Sequence, residues 1–225
     1  MNIISKIMSR IKFYRSIRFF KYLYLNYFCK SIIRKGQCRV IPYKNAVVDI
    51  TKSARWYVSD GDVEIGHNLL NGSKTETRVR LRDHSVWKSN GGCRLCYNTT
   101  IDLQKNAYLE TGNLFINSGS VIVVAEKMTI GTDSMIGRNN ILYDSDFHSI
   151  FDANGKIINA SKPVVVGKHV WITTNNLVLK GTTIGDNVIV GSHSIVNGNI
   201  PANVIYRNNR SKPYSGKWDR QLPIL

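Results

Sequence analysis

Aliphatic residues recur at every sixth position in the last third of the chain. They are Ile130, Ile136, Leu142, Val166, Ile172, Val178, Ile184, Val190 and Val196. Glycine follows several of them, as in Ile130-Gly131 and Ile184-Gly185. A six-residue period fits neither an α-helix nor an amphipathic strand, but it is typical of a β-solenoid in which three short strands make one triangular coil. Each aliphatic residue then points inward, the glycine permits a tight corner, and stacked coils bury a continuous apolar column.

The hexad phase weakens towards the N-terminus. From about Ala46 the chain alternates in a strand-like manner with glycines as turn punctuation, so we expect irregular outer coils there. The inward aliphatic residues of the hexads are missing between His148 and Pro163. This interruption predicts an excursion loop at residues 149–163. The sequence thus predicts a solenoid domain over residues 46–203, followed by a basic C-terminal tail over residues 204–225.

The formal charge of +16 is concentrated at the N-terminus. Residues 1–48 hold eleven Lys and Arg and no Asp or Glu, and aromatic and aliphatic residues are interleaved with these charges up to about Lys35. We therefore predict a basic amphipathic helix and linker over residues 1–45. Such a helix can lie on an anionic membrane surface through residues 1–35, or it can cap the solenoid with its charges solvated.

The N-terminal segment does not match other targeting or binding segments. It has neither the uninterrupted apolar centre of a secretory signal nor the roughly 20 apolar residues of a spanning helix. No recognised binding motif accompanies the charge, so we expect no nucleic acid partner. The expectation is a cytoplasmic protein, with peripheral association at the inner face of the membrane left open.

Four cysteines, Cys29, Cys38, Cys93 and Cys96, occur without a secretion signal, so free thiols in a reducing compartment are expected. The spacing of Cys93 and Cys96 suits zinc or a redox pair. A zinc site needs two further ligands at comparable spacing, and the other cysteines lie far upstream. No metal is therefore expected.

His148 ends a polar run immediately before the excursion loop. Asp144, Asp146 and His148 project to one side if this run is extended. A histidine at the lip of a rigid coil is well placed to accept a proton near neutral pH, and either carboxylate can then orient the imidazole or bind a sugar hydroxyl. The alternative from spacing alone is a surface histidine in a polar turn.

The chain from about Gly112 to Pro213 resembles the hexapeptide-repeat acetyltransferases of the maltose, galactoside and nodulation-factor type, and their relatives in capsule and lipopolysaccharide O-acetylation. Four segments carry the resemblance: the run ending at His148, Pro163-Val-Val-Val-Gly-Lys-His-Val-Trp171-Ile, Ile184-Gly-Asp-Asn-Val-Ile-Val-Gly-Ser-His-Ser-Ile-Val196, and Ile200-Pro201. The resemblance implies a mainly β chain, folded as a left-handed parallel β-helix with an N-terminal amphipathic α-helix. It also implies a homotrimer that uses acetyl-CoA as co-substrate.

The resemblance further assigns roles to single residues. It implies that His148 is the catalytic base, that Asn117 contacts the sugar acceptor, and that Trp171 lines the site beside it. Asp144 and Asp146 are the other substrate-binding candidates. CoA would run along the solenoid towards its C-terminal end, where the cofactor-binding candidates lie. These candidates are Thr173, Thr174, Lys180, Ser192, Arg210 and Lys212.

Two departures from the family pattern concern the CoA groove. Thr173-Thr174 stands where the family usually has Gly-Ala, and the added bulk narrows the approach to pantetheine. The closing segment, residues 208–212, differs as well. There Arg210 and Lys212 either meet a CoA phosphate through charge-assisted hydrogen bonds or remain a solvated basic tail.

The function expected from these residues is acetyl-CoA-dependent O-acetylation of a sugar hydroxyl on a cell-surface polysaccharide or its precursor. An N-acyltransferase acting on an amino sugar nucleotide would share the fold and the base. A zinc hydratase would have to bind metal through His148, His169 and His193, but the close histidine pair of such enzymes is missing. A non-catalytic solenoid scaffold is the last alternative.

Overall fold

Three parallel sheets wind around one axis in this protein. The structure is a computed structural model that describes residues 8, 14–216 and 218–219. Each strand pairs in parallel with the strand three places later in the chain, so three consecutive strands complete one coil. This topology is a parallel β-helix, and the predicted solenoid is confirmed.

Residues 8 and 14–16 are helical, and helix α1 (Phe19–Leu23) and a π-helical turn (Tyr24–Phe28) come after them; the strands follow sheet by sheet. Sheet 1 contains β1 (Ile32–Arg34), β4 (Arg55–Ser59), β7 (Val86–Asn90), β10 (Tyr108–Thr111), β13 (Lys127–Ile130), β16 (Val164–Val166), β19 (Thr183–Ile184) and β22 (Asn199–Ile200). Sheet 2 contains β2 (Val40–Pro42), β5 (Val63–His67), β8 (Cys93–Cys96), β11 (Leu114–Ile116), β14 (Ser134–Ile136), β17 (Trp171–Ile172), β20 (Ile189–Val190), β23 (Val204–Arg207) and β24 (Arg210–Pro213). Sheet 3 contains β3 (Ala46–Ile50), β6 (Thr77–Leu81), β9 (Thr100–Leu103), β12 (Val121–Val124), β15 (Ile141–Tyr143), β18 (Leu177–Val178) and β21 (Ile195–Val196).

The hexad aliphatics form three inward columns, one on each sheet. In sheet 1, for example, Ile130 lies over Val166 and then Ile184 in successive coils, and all three are buried. Burying one such side chain stabilises the fold by about 1.5–3 kcal/mol. The predicted inward orientation of the hexad residues is therefore confirmed.

The glycines after the hexad residues allow the backbones of adjacent coils to approach each other closely. A Cβ atom on Gly131 would collide with the carbonyl of Gly167 in the next coil, and one on Gly137 would collide with that of Thr173. The left-handed backbone conformation falls instead on residues such as Asp133 and Asn139, two positions further along. The expectation that glycine makes the corner itself was therefore wrong at these positions.

The first coils are more regular than the hexad phase suggested. Strands β3 to β7 are five residues long, and two of their inward positions are filled by Trp56 and Trp87, which are larger than the inward residues of the later coils. Trp56 and Trp87 stack in the core with ring centroids 4.4 Å apart. Large inward residues and longer strands hide the six-residue period without disturbing the coil.

The predicted helix ends earlier than expected, at Phe28, and strand β1 already begins at Ile32. The β-helix therefore starts before the predicted boundary at residue 46. Tyr22 and Leu25 are buried, and Asn26 donates to the carbonyls of Tyr22 and Val40 and accepts from the amide of Val40. These contacts fix the helix as a cap on the first coil. The predicted helical residues 1–7 and 9–13 lie outside the described residues.

The described residues of the C-terminal segment pack on the preceding coils. Strand β23 stacks on β20, and β24 folds back on β23 as an antiparallel hairpin. Beyond it, the indole Nε1 of Trp218 donates to the carbonyl of His169 at 2.9 Å. The predicted basic C-terminal tail over residues 204–225 thus contains a β-hairpin and the buried Trp218.

Candidate active site

The excursion loop leaves the coil after β15 and rejoins it at β16. Its root is fixed by Asp144, whose buried carboxylate accepts the backbone N–H groups of Ala125, Glu126 and Lys127 at 2.7–2.8 Å. Burial raises the pKa of Asp144 against the opposing effect of these hydrogen bonds. Asp144 thus anchors the loop to the preceding coil, and its carboxylate does not orient His148 or face a substrate.

A second set of contacts closes the two ends of the loop on each other. Asp146 accepts from Lys180 Nζ at 2.5 Å and from Asn159 Nδ2 at 3.0 Å, while Lys180 also donates to the carbonyl of Asn159 at 2.8 Å. These hydrogen bonds, that of Lys180 above all, lower the pKa of Asp146. We call Asp146, Asn159 and Lys180 the loop clamp. The sequence suggested substrate and cofactor contacts for Asp146 and Lys180, and it gave no sign of Asn159.

The clamp holds the backbone of His148. Asn159 Nδ2 donates to the carbonyl of His148 at 2.8 Å, and the amide of His148 donates to the carbonyl of Asp146 at 2.8 Å. The imidazole itself is exposed and makes no hydrogen bond to another described residue. The backbone of His148 is therefore fixed, while its imidazole remains exposed at the edge of the coil.

Trp171 lies on the outer face of sheet 2, beside the folded-back C-terminal segment. Its ring is tilted against Trp218 with centroids 5.9 Å apart, and Trp218 stacks on His169 at 4.3 Å. Asn117 lies in the turn between β11 and β12, where its own Oδ1 accepts from the amide of Ser118 at 2.8 Å. With Oδ1 engaged in this local hydrogen bond, the side-chain Nδ2 of Asn117 is the group that can donate to a ligand.

The cofactor-binding candidates separate into two groups. Thr173, Thr174 and Ser192 lie at the edge between sheets 2 and 3, where Thr173 Oγ1 donates to the carbonyl of Val190 at 2.7 Å and lies 3.1 Å from Ser192 Oγ. Arg210 and Lys212 are exposed on β24, at the C-terminal end of sheet 2. Lys180 belongs with the loop clamp instead.

A buried polar ladder at the same edge was missed from the sequence. Asn140 Nδ2 donates to the carbonyl of Thr173 at 2.6 Å, and Asn140 Oδ1 accepts from the amide of Asn176 at 2.9 Å. Asn176 Oδ1 then accepts from the amide of Ser194 at 2.8 Å. The signal was available in hindsight, because the three side chains stand at equivalent places of successive coils.

One subunit does not bring all the predicted site residues together. The loop with His148 joins sheet 3 to sheet 1, whereas Asn117 and Thr173 lie at the turns that join sheet 2 to sheet 3. These are different edges of the triangular coil. Within this chain the two sets of residues therefore lie at separate edges.

The histidines considered for a metal site lie at three different edges. His169 Nδ1 is 2.9 Å from Asp133 Oδ2, and His193 Nε2 is 3.1 Å from Asn175 Nδ2. Among the described residues, no group of three or more His, Cys, Asp or Glu side chains is placed to hold a metal ion. The four cysteines are all free thiols.

Several curated relatives of this chain are named O-acetyltransferases. The chain is 33% identical over 103 residues to a putative lipopolysaccharide biosynthesis O-acetyltransferase of Escherichia coli K12, and the match covers 41% of this chain and 52% of that protein. It is 34% identical over 132 residues to a polysialic acid O-acetyltransferase of Neisseria meningitidis, with 55% and 57% covered.

This chain is similar in sequence to the O-acetyltransferases. A galactoside O-acetyltransferase of Escherichia coli K12 matches at 35% identity over 95 residues, with 41% of this chain and 46% of that enzyme covered. The chain thus spans about half the length of the curated relatives it matches. No protein-family model matches it.

Solved structures of similar chains include two acyltransferases. The polysialic acid O-acetyltransferase OatWY has a TM-score of 0.47 at 24% identity, with 83% of this chain and 92% of that chain covered. An N-acyltransferase of Bacillus cereus, AntD, in complex with dTDP and coenzyme A, has a TM-score of 0.46 at 17% identity, with 85% and 87% covered.

Proposed function

We propose that this protein is an acetyl-CoA-dependent O-acetyltransferase that acts on a sugar hydroxyl of a cell-surface polysaccharide or its precursor. The observation that carries the proposal is the loop clamp, which fixes the backbone of His148 while its imidazole stays open to a substrate. The similarity to several sugar O-acetyltransferases supports it. An N-acyltransferase remains the alternative and differs in the acceptor.

The proposed reaction is a direct transfer. His148 takes the proton of the sugar hydroxyl while the hydroxyl oxygen attacks the thioester carbonyl of acetyl-CoA. The tetrahedral intermediate collapses by breaking the carbon–sulfur bond, and the departing thiolate receives the proton from the imidazolium. The products are the acetyl ester and CoA thiol. No covalent enzyme intermediate is required.

Acetyl-CoA would lie along the edge that carries Thr173 and Ser192. The Thr173 hydroxyl is already engaged within the coil, so the threonine narrows the groove and its hydroxyl is not free for a ligand. Arg210 and Lys212 project from β24 without a side-chain partner among the described residues. Two exposed cations at this end suit the phosphates of CoA.

A homotrimer would complete the site, and the outer faces of the sheets support it. On sheet 3, outward-facing aliphatic side chains form a row that runs across successive coils. On sheet 2, outward-facing apolar side chains form a second row with Trp171 at its centre. The rows are Val121, Ile141, Leu177 and Ile195 on sheet 3, and Phe115, Met135, Trp171, Ile189 and Ile205 on sheet 2. A closed ring needs two different contact faces on each subunit, and these faces provide them.

The excursion loop points to the same assembly. Its tip is held by an antiparallel bridge between Phe151 and Ile157, and it exposes Ile150, Phe151, Ile157 and Ile158. Clustered exposed apolar side chains mark a contact surface. If the tip packs on the sheet 2 face of a neighbour, His148 of one copy approaches Trp171 of the next.

Peripheral association at the inner face of the membrane would be mediated by the exposed side of the N-terminal cap. Phe20, Tyr27 and Phe28 are 85%, 67% and 71% exposed, while Lys21 and Arg34 lie over the neighbouring rings of Tyr24 and Tyr27. Aromatic residues among cations suit an anionic lipid interface. Among the described residues, no helix has the length and apolar character to cross a bilayer.

Calorimetric titration of acetyl-CoA into the purified protein tests the co-substrate without knowledge of the acceptor. We expect micromolar binding that His148→Ala retains and that the double variant Arg210→Ala, Lys212→Ala weakens about tenfold. Absence of acetyl-CoA binding by the wild type would exclude the acetyltransferase.

Vesicle sedimentation tests the membrane surface. Removal of residues 1–35 would delete β1 and the buried Leu25, so point variants are needed. We expect Phe20→Ser with Phe28→Ser to release the protein from phosphatidylglycerol vesicles, and Phe151→Ser in the excursion loop to leave binding unchanged. Equal sedimentation of both variants with the wild type would show that the N-terminal segment acts as a cap alone.

A further inference from the structure

A groove of about 830 Å³ lies on the outer face of sheet 1, across strands β1, β4, β7 and β10. Its volume is within the usual range of ligand sites. The subunit contacts proposed above use the outer faces of sheets 2 and 3, so this third face stays exposed in the proposed homotrimer. We call it the sheet 1 groove.

Tyrosine rings and aliphatic side chains form the floor of the sheet 1 groove. Ile33 and Tyr57 are paired neighbours on β1 and β4, and they are 42% and 38% exposed. Val86 and Tyr108 are paired neighbours on β7 and β10. The two tyrosines thus lie two coils apart, or about 10 Å along the axis. Rings at this separation offer flat apolar surfaces to more than one unit of an extended ligand.

A chain of hydrogen bonds fixes the position of Tyr108. Its Oη donates to Glu110 Oε2 at 2.6 Å, and Asn90 Nδ2 donates to Glu110 Oε1 at 3.2 Å. Ser59 Oγ donates in turn to Asn90 Oδ1 at 3.1 Å. Both oxygens of Glu110 are engaged in this way, so the carboxylate holds the floor of the groove together.

Cations surround the aromatic floor. The Nζ atoms of Lys88 and Lys127 lie 5.5 and 5.7 Å from the centre of the Tyr108 ring, and Arg34 and Lys35 lie at the β1 end of the groove. None of the described lining residues is Asp or Glu. Within the described part of the chain, none of these four cations forms an ion pair with a carboxylate. The sheet 1 groove therefore carries an excess of positive charge.

Rings and charges together indicate an acidic glycan as the ligand. The apolar face of a sugar ring packs on tyrosine, and a carboxylate on the same sugar accepts charge-assisted hydrogen bonds from lysine. A neutral glycan would use the rings but none of the cations. A polyanion without sugar rings would use the cations and leave the tyrosines uncovered.

The sheet 1 groove lies on the sheet that leads to the excursion loop. In this sheet β10 is followed by β13 and then by β16, where the loop rejoins the coil. Tyr108 is thus about 10 Å along the axis from the coil of β16, and Lys127 on β13 lies between them. A glycan bound in the groove can therefore extend along sheet 1 towards the edge that carries His148.

We infer that the sheet 1 groove binds carboxylate-bearing sugar units of an acidic glycan, at a place separate from the hydroxyl that is acetylated. This inference rests on the proposed function, because it names an acidic polymer as the acceptor and gives the enzyme a second hold on it. Binding of one part of the chain raises the local concentration of further hydroxyls at His148. A polymer is then a better substrate than its isolated monosaccharide.

Direct glycan binding tests the groove independently of catalysis. His148→Ala protein is applied to an array of sialic acid and uronic acid oligomers of four to eight units, printed beside neutral hexose oligomers and poly-glutamate. We expect at least tenfold tighter binding to the acidic glycans than to either of the other two. Lys88→Gln and Tyr57→Ala, added singly, should each weaken this binding about tenfold.

Two further variants serve as matched controls and should bind like the parent protein. Lys74→Gln changes an exposed lysine in the turn before β6, at the edge opposite sheet 1. Tyr57→Phe keeps the aromatic ring and removes only the hydroxyl.

Four outcomes would overturn the inference. They are no binding to the acidic oligomers, equal binding to the neutral oligomers or to poly-glutamate, equal weakening by Lys88→Gln and Lys74→Gln, and unchanged binding in Tyr57→Ala. None of them bears on acetyl transfer. If the acidic glycan binds but acetyl-CoA does not, the groove stands while the acetyltransferase function fails.

Discussion

Lys180 Nζ lies 2.5 Å from Asp146 Oδ2, although the two residues are 34 positions apart in the chain. Lys180 follows β18, which pairs with β15 in the preceding coil, and Asp146 lies just beyond β15. The ion pair thus ties the start of the excursion loop to the coil that follows the loop. His148 lies two residues after Asp146. The ion pair therefore fixes the backbone of the proposed base to the rigid coil.

Lys180→Met removes the clamp without removing the base. We expect kcat to fall about tenfold or more, because a misplaced base loses its alignment with the hydroxyl, while the Kd for acetyl-CoA stays unchanged. Steady-state kinetics with calorimetry separates the two quantities. Lys156→Met, another lysine of the loop region, should leave both unchanged.

The opposite pattern would restore the sequence-based role of Lys180. An unchanged kcat together with a weakened Kd for acetyl-CoA would mean that Lys180 contacts the cofactor. Asn159→Ala provides a second test of the clamp, since Asn159 has no cofactor role to lose and should reproduce the fall in kcat.

Mixing two inactive variants tests the shared site. If His148 acts with Trp171 of a neighbouring copy, subunit exchange between His148→Ala and Trp171→Ala should restore about a quarter of the sites, as random assembly in an equal mixture requires. His148→Ala mixed with Lys180→Met should restore no more than the activity of the two alone, because both changes damage the same loop. No recovery in the first mixture would place the whole site within one subunit.

The buried ladder of Asn140 and Asn176 should contribute to stability. Asn140→Ala leaves the amide of Asn176 and the carbonyl of Thr173 without their side-chain partner, which is expected to lower the free energy of unfolding by about 1–3 kcal/mol. Urea denaturation measures this loss. Asn197→Ala, at an exposed position, is the control and should change stability little.

The Glu64 cluster should make stability depend on pH in the acid range. Burial opposes ionisation of Glu64, but hydrogen bonds from His67, Tyr43 and Arg94 outweigh it and lower the pKa to about 2. A carboxyl with a depressed folded-state pKa contributes its full stabilisation above its ordinary pKa of 4.5, and this contribution is lost as pH falls towards about 2.

Urea denaturation between pH 7 and pH 2 would show this dependence. We expect Glu64→Gln to remove on the order of 3 kcal/mol of the acid-dependent stability, as the shift in pKa implies. Glu76→Gln, at an exposed glutamate, should leave the pH profile as in the wild type. An identical profile for Glu64→Gln would contradict the ionised state of Glu64 in the fold.

The sequence predicted the coils well because the period is local. The aliphatic residue of each hexad marks the position that points inward. The stacked column through Ile130, Val166 and Ile184 could therefore be predicted from the sequence without knowledge of contacts. The same reasoning failed at the N-terminus. There Asn26 was predicted as a polar helix residue, yet its buried side chain bonds to Val40 and holds the helical segment against the first coil.

The site was predicted in part, for a related reason. The place of His148 before an interruption of the hexads was visible, and the structure shows it at the loop as expected. The partners that hold it were not, because Asp146 meets Lys180 and Asn159 only after the loop has closed. A carboxylate next to a histidine in sequence suggested orientation of the imidazole, whereas Asp144 bonds to the turn at Ala125 in the coil below.

Acetyl transfer to a sugar is the most direct test of the proposed function. Wild-type protein is incubated with acetyl-CoA and a mixture of neutral and acidic oligosaccharides, and the products are examined by mass spectrometry before and after mild alkali. The account predicts an added acetyl group that alkali removes, with release of CoA thiol, and a fall in rate of about 10²–10⁴-fold for His148→Ala. Alkali-stable products, or transfer by His148→Ala at the wild-type rate, would contradict it.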